Sequence, residues 1–363
     1  MRLIQITVWL LCSIPLIAGC TSQTGSTLIP TISTQRELAI YNWGTYIAPE
    51  LLTKFETQYH VTIRYDEFDN DDALLKELRE GTSYDIVVPT DTLLPLMRNE
   101  GLLAPLNHAN IPNLANLAPE FSNPSYDPQN RYSVPYQWGT IGIAYNIANT
   151  GRELTSWYDL FDPAFAGRVG ILDDYNVALG AILLMLGYSP NSLNVVHIEE
   201  ARDFLMPYTE QLVIIGDVGQ DYLVSGELDV VMEFNGDIAQ LMRDNPDIRF
   251  VIPEEGGYIF IDVLAIPKTS RNKDLAEMFI NFILDPQNGA ILSNEIRYGS
   301  PNLASRPFLN QDDLTDPIIY PPADVQKRLF YQGYIDAQTN ALYAEFWEAF
   351  RQINRPLLSV QDE

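Results

Sequence analysis

LAIYNWGTYIAPELLTKFETQYHVTIRY, residues 38–65, decides the fold. Leu38 to Tyr41 is a short β-type run. Leu51, Leu52, Phe55 and Tyr59 then fall at spacings that put them on one face of a helix, and Val61 to Tyr65 returns to β-type residues. Strand, amphipathic helix and strand in that order predict a βαβ unit, so the chain starts as an α/β fold.

The alternation continues outward. Tyr84 to Val88, closed by Pro89, reads as a buried strand, with Thr90 or Asp91 capping the helix after it, and Asp72 to Arg79 and Leu93 to Arg98 read as helices. A Pro- and Asn-rich stretch, Asn107 to Asn130, precedes a second series. Its candidate strands are Ser133–Asn146, Val169–Leu172, Gln211–Ile215, Asp229–Phe234 and Arg249–Ile252. Helices at Val177–Leu186, Ile198–Tyr208 and Asp237–Arg243 separate them, which implies a second α/β lobe. Ile259–Ile266 is a further apolar strand. After it the sequence reads as helical at Asp274–Leu284, Gln287–Glu295 and from Asp324 to Arg351.

Toward the N-terminus, Leu16-Ile17-Ala18-Gly19-Cys20 resembles a bacterial lipobox. Arg2 supplies a positive start, and the apolar run Leu3–Ile17 is shorter than the roughly 20 residues that span a bilayer. Residues 1–19 therefore read as a lipoprotein signal peptide, cut before Cys20, whose thiol takes a diacylglyceryl group; more than one acyl chain gives stable anchoring. Residues 20–36, rich in Ser and Thr, read as a disordered tether holding the body about 20 to 24 Å from the anchor, with the folded region starting near Glu37. The expectation is an exported, lipid-anchored protein.

The chain has two cysteines, Cys12 in the signal and Cys20 at the lipid site, which leaves no disulfide or paired-cysteine zinc site in the mature body. His60, His108 and His197 are scattered, so neither a metal nor another cofactor is expected. Its 48 acidic and 22 basic side chains give a formal net charge of −26. That charge attracts cations and repels phosphate-rich partners, nucleic acid among them. No Gly-x-Ser-x-Gly elbow, phosphate loop or His-Glu-x-x-His occurs, and the glycines at 139 and 142 do not make a dinucleotide fingerprint. The pairs Asp173/Asp174 and Glu254/Glu255 could serve a two-carboxylate hydrolase, but adjacent acids on a turn are usually just solvated. No catalytic residue is assigned.

Aromatic and acidic residues recur at the ends of predicted strands, where open α/β sheets place their ligands. Trp43 and Tyr46 follow the first strand and Thr90 and Asp91 the third. Asp173 and Asp174 follow the strand that starts the second lobe, Glu233 and Phe234 end another, and Phe260 and Asp262 lie in the return strand. Such a set suits an organic cation. An aromatic face attracts an ammonium by roughly 0.5 to 2 kcal/mol, and a carboxylate bond to it contributes about 1.5 to 3.

At these residues the chain resembles the periplasmic spermidine/putrescine-binding proteins of ABC importers, over about Leu38 to Arg351. The resemblance is carried in order by Tyr41-Asn42-Trp43, Tyr84 to Pro89, Val134 to Gly139, Trp157 to Phe161, Phe234-Asn235-Gly236, Glu255-Gly256-Gly257, Asp262 to Pro267 and Ser300 to Ala304. It implies a two-lobed periplasmic-binding-protein-like fold of type II, with a central cleft and hinge segments near residues 139 and 262. Lobe 1 would comprise 37–138 and 262–312, and lobe 2 139–261 and 313–356. It also implies a monomer that closes on a polyamine and presents it to a membrane permease. By the same resemblance Trp43, Tyr46, Phe234, Phe260 and Tyr298 sandwich the ligand, Asp262 holds the central amine and Asp174 a terminal one.

The departures from the family pattern concern charge. Thr45 stands where the family carries an acid, and Val177 where some members have a Glu; Phe234 and Phe260 replace Trp, and a family Tyr is replaced near Thr92. Two ammonium partners are thus missing, with Glu233, Asp91 or Asp173 as candidate replacements. The lost acids leave open a shorter diamine or another cationic or zwitterionic solute, such as an amino acid derivative, an opine-like molecule or thiamine. Iron ranks low, because no adjacent tyrosine pair occurs.

Overall fold

In the computed structural model, which describes residues 36–354 apart from 217, 334 and 335, the stretch that opens the sequence argument folds as read. Strand β1 (Arg36–Trp43), the helix Pro49–Tyr59 and strand β2 (Val61–Phe68) form the βαβ unit, with β1 and β2 parallel from Arg36↔Val61 to Trp43↔Phe68. Pro49 sits in the helix's first turn, where its missing N–H needs no partner, and Leu51 and Phe55 face the core. Arg36 falls in β1 rather than in a tether, because it pairs with Val61 and its guanidinium reaches Asp274 at 2.8 Å. The predicted signal, Cys20 and the rest of the tether lie outside the described residues, as do residues 355 and 356.

Eight further strands follow: β3 (Ile86–Val87), β4 (Ser133–Asn146), β5 (Val169–Leu172), β6 (Leu212–Ile215), β7 (Val230–Phe234), β8 (Ile248–Val251), β9 (Gly257–Ala265) and β10 (Leu329–Tyr331). All ten join in one sheet of order β2-β1-β3-β9-β4-β7-β5-β6, with β8 beside β4 and β10 beside β9. β3 is shorter than the run Tyr84–Val88, yet its flanks still bond to β1, Asp85 N to Ala39 O at 2.7 Å and Val88 N to Tyr41 O at 3.2 Å.

The sheet carries two separate sets of cores, and this makes the fold two-lobed. Around β1 to β3, alternate residues face opposite sides: Leu38 and Ile40 pack with Phe55 and Phe279, while Ala39 and Tyr41 pack with Leu74 and Leu78. Around β5 to β7, Ile171 and Met232 pack with Trp157, Leu183 and Phe350 on one side, and Val213 and Val231 with Leu223 and Ile238 on the other. The antiparallel pair β4 and β9 passes between the halves. β4 bonds to β9 from Ser133 to Ile141 and then to β7 and β8 from Ile141 to Asn146.

The expected helical run from Asp324 to Arg351 is interrupted. Short helix Ala323–Gln326 gives way to β10, which lies parallel to β9 from Leu329↔Gly257 to Tyr331↔Ile259, before helix Ala337–Ile353 resumes. The apolar-aromatic run Leu329-Phe330-Tyr331 takes up a vacant place beside β9, a long-range pairing that overrides local propensity.

Candidate functional site

Because β1 and β2 are parallel and in register, and β5 and β7 run parallel to each other, the strands of each half end on a common edge. The two edges meet in a cavity of about 470 Å³. Trp43, Tyr46, Thr90, Asp91, Asp174, Phe234, Phe260, Asp262 and Tyr298 all line it. Glu233 does not. Neighbouring residues of β7 point to opposite faces, so with Phe234 toward the cavity Glu233 turns the other way, fully buried against Gly219, its carboxylate accepting from the Phe234 N–H at 2.9 Å.

The aromatic wall is a connected row. The Tyr46 ring meets Tyr298 edge-on at 5.0 Å, Tyr298 meets Phe260 at 6.0 Å, and Phe260 meets Phe234 at 5.3 Å; Trp43 leans on Phe68 at 4.4 Å. Two glycines let the row sit this low. A Cβ on Gly139 would come within 2.7 Å of Phe260 and 2.8 Å of Tyr298, and one on Gly236 would lie inside the Tyr298 ring's van der Waals envelope. Asn235 fastens the same corner: its Oδ1 accepts from Thr140 N at 2.7 Å and its Nδ2 donates to Ile318 O at 2.8 Å. The motifs Trp138-Gly139 and Phe234-Asn235-Gly236 thus shape the aromatic floor.

Asp262 sits on β9, 5 % exposed, and accepts the Tyr46 hydroxyl at 2.8 Å. Burial and that carboxylate push the Tyr46 phenol well up, so it stays a neutral donor. Asp174 caps helix Tyr175–Met185, its Oδ1 accepting from Asn176 N at 2.9 Å and Val177 N at 3.1 Å; burial nevertheless raises its pKa. Asp91, bonded to Ile261 N at 3.4 Å, is pushed by burial up to about 7. Thr90 Oγ1 accepts from Leu93 N at 3.1 Å in the turn before helix Leu94–Asn99, whose N-cap position is Leu93 with no side-chain cap bond, so neither Thr90 nor Asp91 is the cap the sequence suggests. Asp173 is already engaged, accepting from Trp347 Nε1 at 2.7 Å and lying 3.3 Å from Arg351.

Four acids of the wall, Asp69, Asp71, Asp72 and Asp237, were not among the predicted residues, and two of them are part-buried and hydrogen-bonded. Asp237, in the first turn of helix Asn235–Leu241, accepts the Tyr298 hydroxyl at 2.7 Å and the Thr45 hydroxyl at 3.5 Å, and burial pushes it up to about 6. Asp71 opens helix Asp71–Glu80, accepts the Thr90 hydroxyl at 2.6 Å, and is pushed by burial up to about 7. The signal that reveals Asp71 is the same strand-end rule: β2 stops beside β1, so Asp69-Asn70-Asp71-Asp72 must reach the edge that holds Trp43.

Among the described residues the wall holds eight aspartates and one cation, Arg351, which faces Asp173. No group of three or more His, Cys, Asp or Glu side chains among the described residues could hold a metal ion, so the acids are spread along the cavity rather than gathered into a cage. The carboxylate pKa values along the aromatic row are raised chiefly by burial, so the wall is a desolvated acidic surface suited to an organic cation.

Fold and cavity together define a solute-binding protein with its site between two lobes. Residues 82–324 match the bacterial extracellular solute-binding protein family. The spermidine/putrescine-binding periplasmic protein of Escherichia coli K12 is 31% identical over 319 residues, covering 86% of this chain and 91% of that protein. The solved spermidine/putrescine ABC transporter substrate-binding protein of Streptococcus pneumoniae is 33% identical, with a TM-score of 0.77 and coverage of 88% of this chain and 100% of that one. A lipoprotein of Treponema pallidum is 27% identical, with a TM-score of 0.78 and coverage of 87% and 99%. The chain belongs to the bacterial extracellular solute-binding proteins, in the family of the periplasmic spermidine/putrescine-binding proteins of ABC transporters, and is not an enzyme.

Proposed function

We propose that the chain binds a polyamine between its lobes, closes on it about the β4 and β9 crossings, and delivers it as a monomer to an ABC permease while tethered through a lipidated Cys20. The observation that carries the reading is a cavity wall of eight aspartates whose one cation, Arg351, is already paired. Trp43, Tyr46, Phe234, Phe260 and Tyr298 cover the methylene chain, Asp262 takes a central amine and Asp174 a terminal one. Thr45, where the family carries an acid, donates its hydroxyl to Asp237, so a carboxylate from the opposite lobe stands in for the missing one. Asp91 lies beside Asp262 through the Thr90↔Asp262 bridge and adds to the field there. Lobe 1 is assigned to 37–138 and 262–312, and lobe 2 to 139–261 and 313–356. Lipid anchoring is supported by the lipobox-like residues before Cys20 and by the likeness to a lipoprotein of the same fold.

Micromolar affinity needs about −8.2 kcal/mol, which three charge-assisted contacts and the stacked aromatic area supply after ordering costs. A zwitterionic amino acid derivative is disfavoured, because its carboxylate would have to take Arg351 from Asp173. Calorimetric titration of ligand-stripped, folded protein with putrescine and spermidine tests the proposal, and silence toward both overturns it.

A further inference from the structure

We propose that Asp71 is an additional amine-binding carboxylate, and that with it the cavity selects a triamine over a diamine. This rests on the polyamine reading and names the substrate class within it.

Asp71 Oδ2 is held by the Thr90 hydroxyl at 2.6 Å, while its Oδ1 is sealed from solvent with no hydrogen-bond partner. The Oδ1 of Asn176 is in the same condition, and both residues line the cavity. Asp71 belongs to the half built on β1 to β3 and Asn176 to the half built on β5 to β7, where Asp174 caps the same helix. Asp71 and Asp174 lie close enough to repel each other. Two carboxylates and an amide oxygen, offered from both lobes, match the three N–H bonds of one primary ammonium. Buried polar atoms are otherwise almost always paired, so two orphaned acceptors on residues of one cavity wall point to a donor brought by the ligand.

The order of acids along the cavity sets the charge count. Asp237 joins the Tyr298 hydroxyl at 2.7 Å, the Tyr298 ring meets Tyr46, and the Tyr46 hydroxyl joins Asp262 at 2.8 Å. From Asp262 the wall continues through its bridge to Thr90, whose hydroxyl holds Asp71. Along this path of contacts Asp237 comes first, Asp262 in the middle and Asp71 last. A diamine satisfies two of these stations and leaves one carboxylate group unneutralised; a triamine such as spermidine satisfies all three. Val177, where some relatives carry an acid, is apolar and on the far lobe, so Asp71 restores that charge from across the cleft.

The test compares wild-type, Asp71→Asn and Asp174→Asn proteins, full-length body and ligand-stripped, titrated calorimetrically with spermidine and putrescine at pH 8. Wild type should prefer spermidine. Asp71→Asn should lose at least about tenfold in spermidine affinity and less than about threefold in putrescine affinity, the size of a lost charge-assisted bond. Asp174→Asn should weaken spermidine similarly. A wild type with no preference, equal losses for both amines, or an unchanged spermidine affinity in Asp71→Asn overturns the assignment. A wild type silent toward both amines instead refutes the polyamine reading beneath it. Should Asp71→Asn melt early, Asp71→Ser, whose short side chain suits a helix's first turn, makes the same comparison.

Discussion

Replacing Asp237 with Asn probes the site through a part-buried group bonded to Tyr298 and Thr45. The amide is isosteric: its oxygen can still accept from Tyr298, which lies 2.7 Å away, so the ring and the aromatic row keep their places. What disappears is one negative charge. A charge-assisted hydrogen bond to an ammonium is worth about 1.5 to 3 kcal/mol, so at pH 8 the variant should bind spermidine roughly 10- to 150-fold more weakly. The titration of Asp237 supplies a second, independent signature. Burial pushes its pKa up to about 6 in the ligand-free protein, and a cation favours the ionised form, so binding in the wild type must displace a proton below that pH. At pH 5 only about a tenth of Asp237 is ionised, and its contribution falls by about tenfold. The gap between wild type and variant should therefore shrink about tenfold between pH 8 and pH 5. Calorimetry at both pH values, with melting curves to show equal folding, reads both effects. If the variant stays within about threefold of wild type at pH 8, or the gap does not narrow at pH 5, the role given to Asp237 is wrong.

Three further outcomes are expected. Asp71 and Asp91, pushed by burial up to about 7, hold protons longer folded than unfolded, so the stability they contribute is complete below pH 4 and is lost as pH rises through 7. Ligand-free protein should melt lower at pH 8 than this trend's low-pH end, spermidine should raise the melting temperature more at pH 8 than at pH 5.5, and Asp71→Asn should reduce the difference. Gly236→Ala forces the Tyr298 ring off its glycine seat; overpacking of this kind destabilises by about 1 to 3 kcal/mol, and polyamine affinity should fall with it, read by melting and titration. Cys20→Ala should release the protein from membranes into the soluble fraction while leaving the affinity of the purified body unchanged.

The fold was readable because its deciding signals are local. Residues 38–65 carry strand and helix periods next to each other, and β4, Ser133–Asn146, appears with the predicted bounds because all of it but Trp138 and Asn146 is buried. Where pairing is remote, the sequence misleads: Leu329–Tyr331 lies in a helix-like context and becomes a strand only because β9 is beside it. The strand-end rule located the aromatic row, since parallel neighbours end together whatever their sequence separation. It failed at Glu233, where a single step along β7 reverses the face.

Asp71 and Asp237 escaped for a physical reason that also explains the site. Each lies in the first turn of a helix, where an acid is expected from the helix dipole alone, so its type announces nothing. By the resemblance to the polyamine-binding proteins an acid is expected two residues after Trp43 and, in some members, three after Asp174, and this chain has Thr45 and Val177 at those places. Asp237 accepts the Thr45 hydroxyl at 3.5 Å, and Asp71 lies near enough to Asp174 for the two charges to repel. Moving the charges across the cleft keeps the number of anionic stations but changes what an amine must do. In the proposed reading each terminal ammonium would touch both lobes, and without it the facing carboxylates would repel across the gap. On that reading ligand charge and lobe closure would be coupled, and a neutral or singly charged solute of equal length would gain little from closing the cleft.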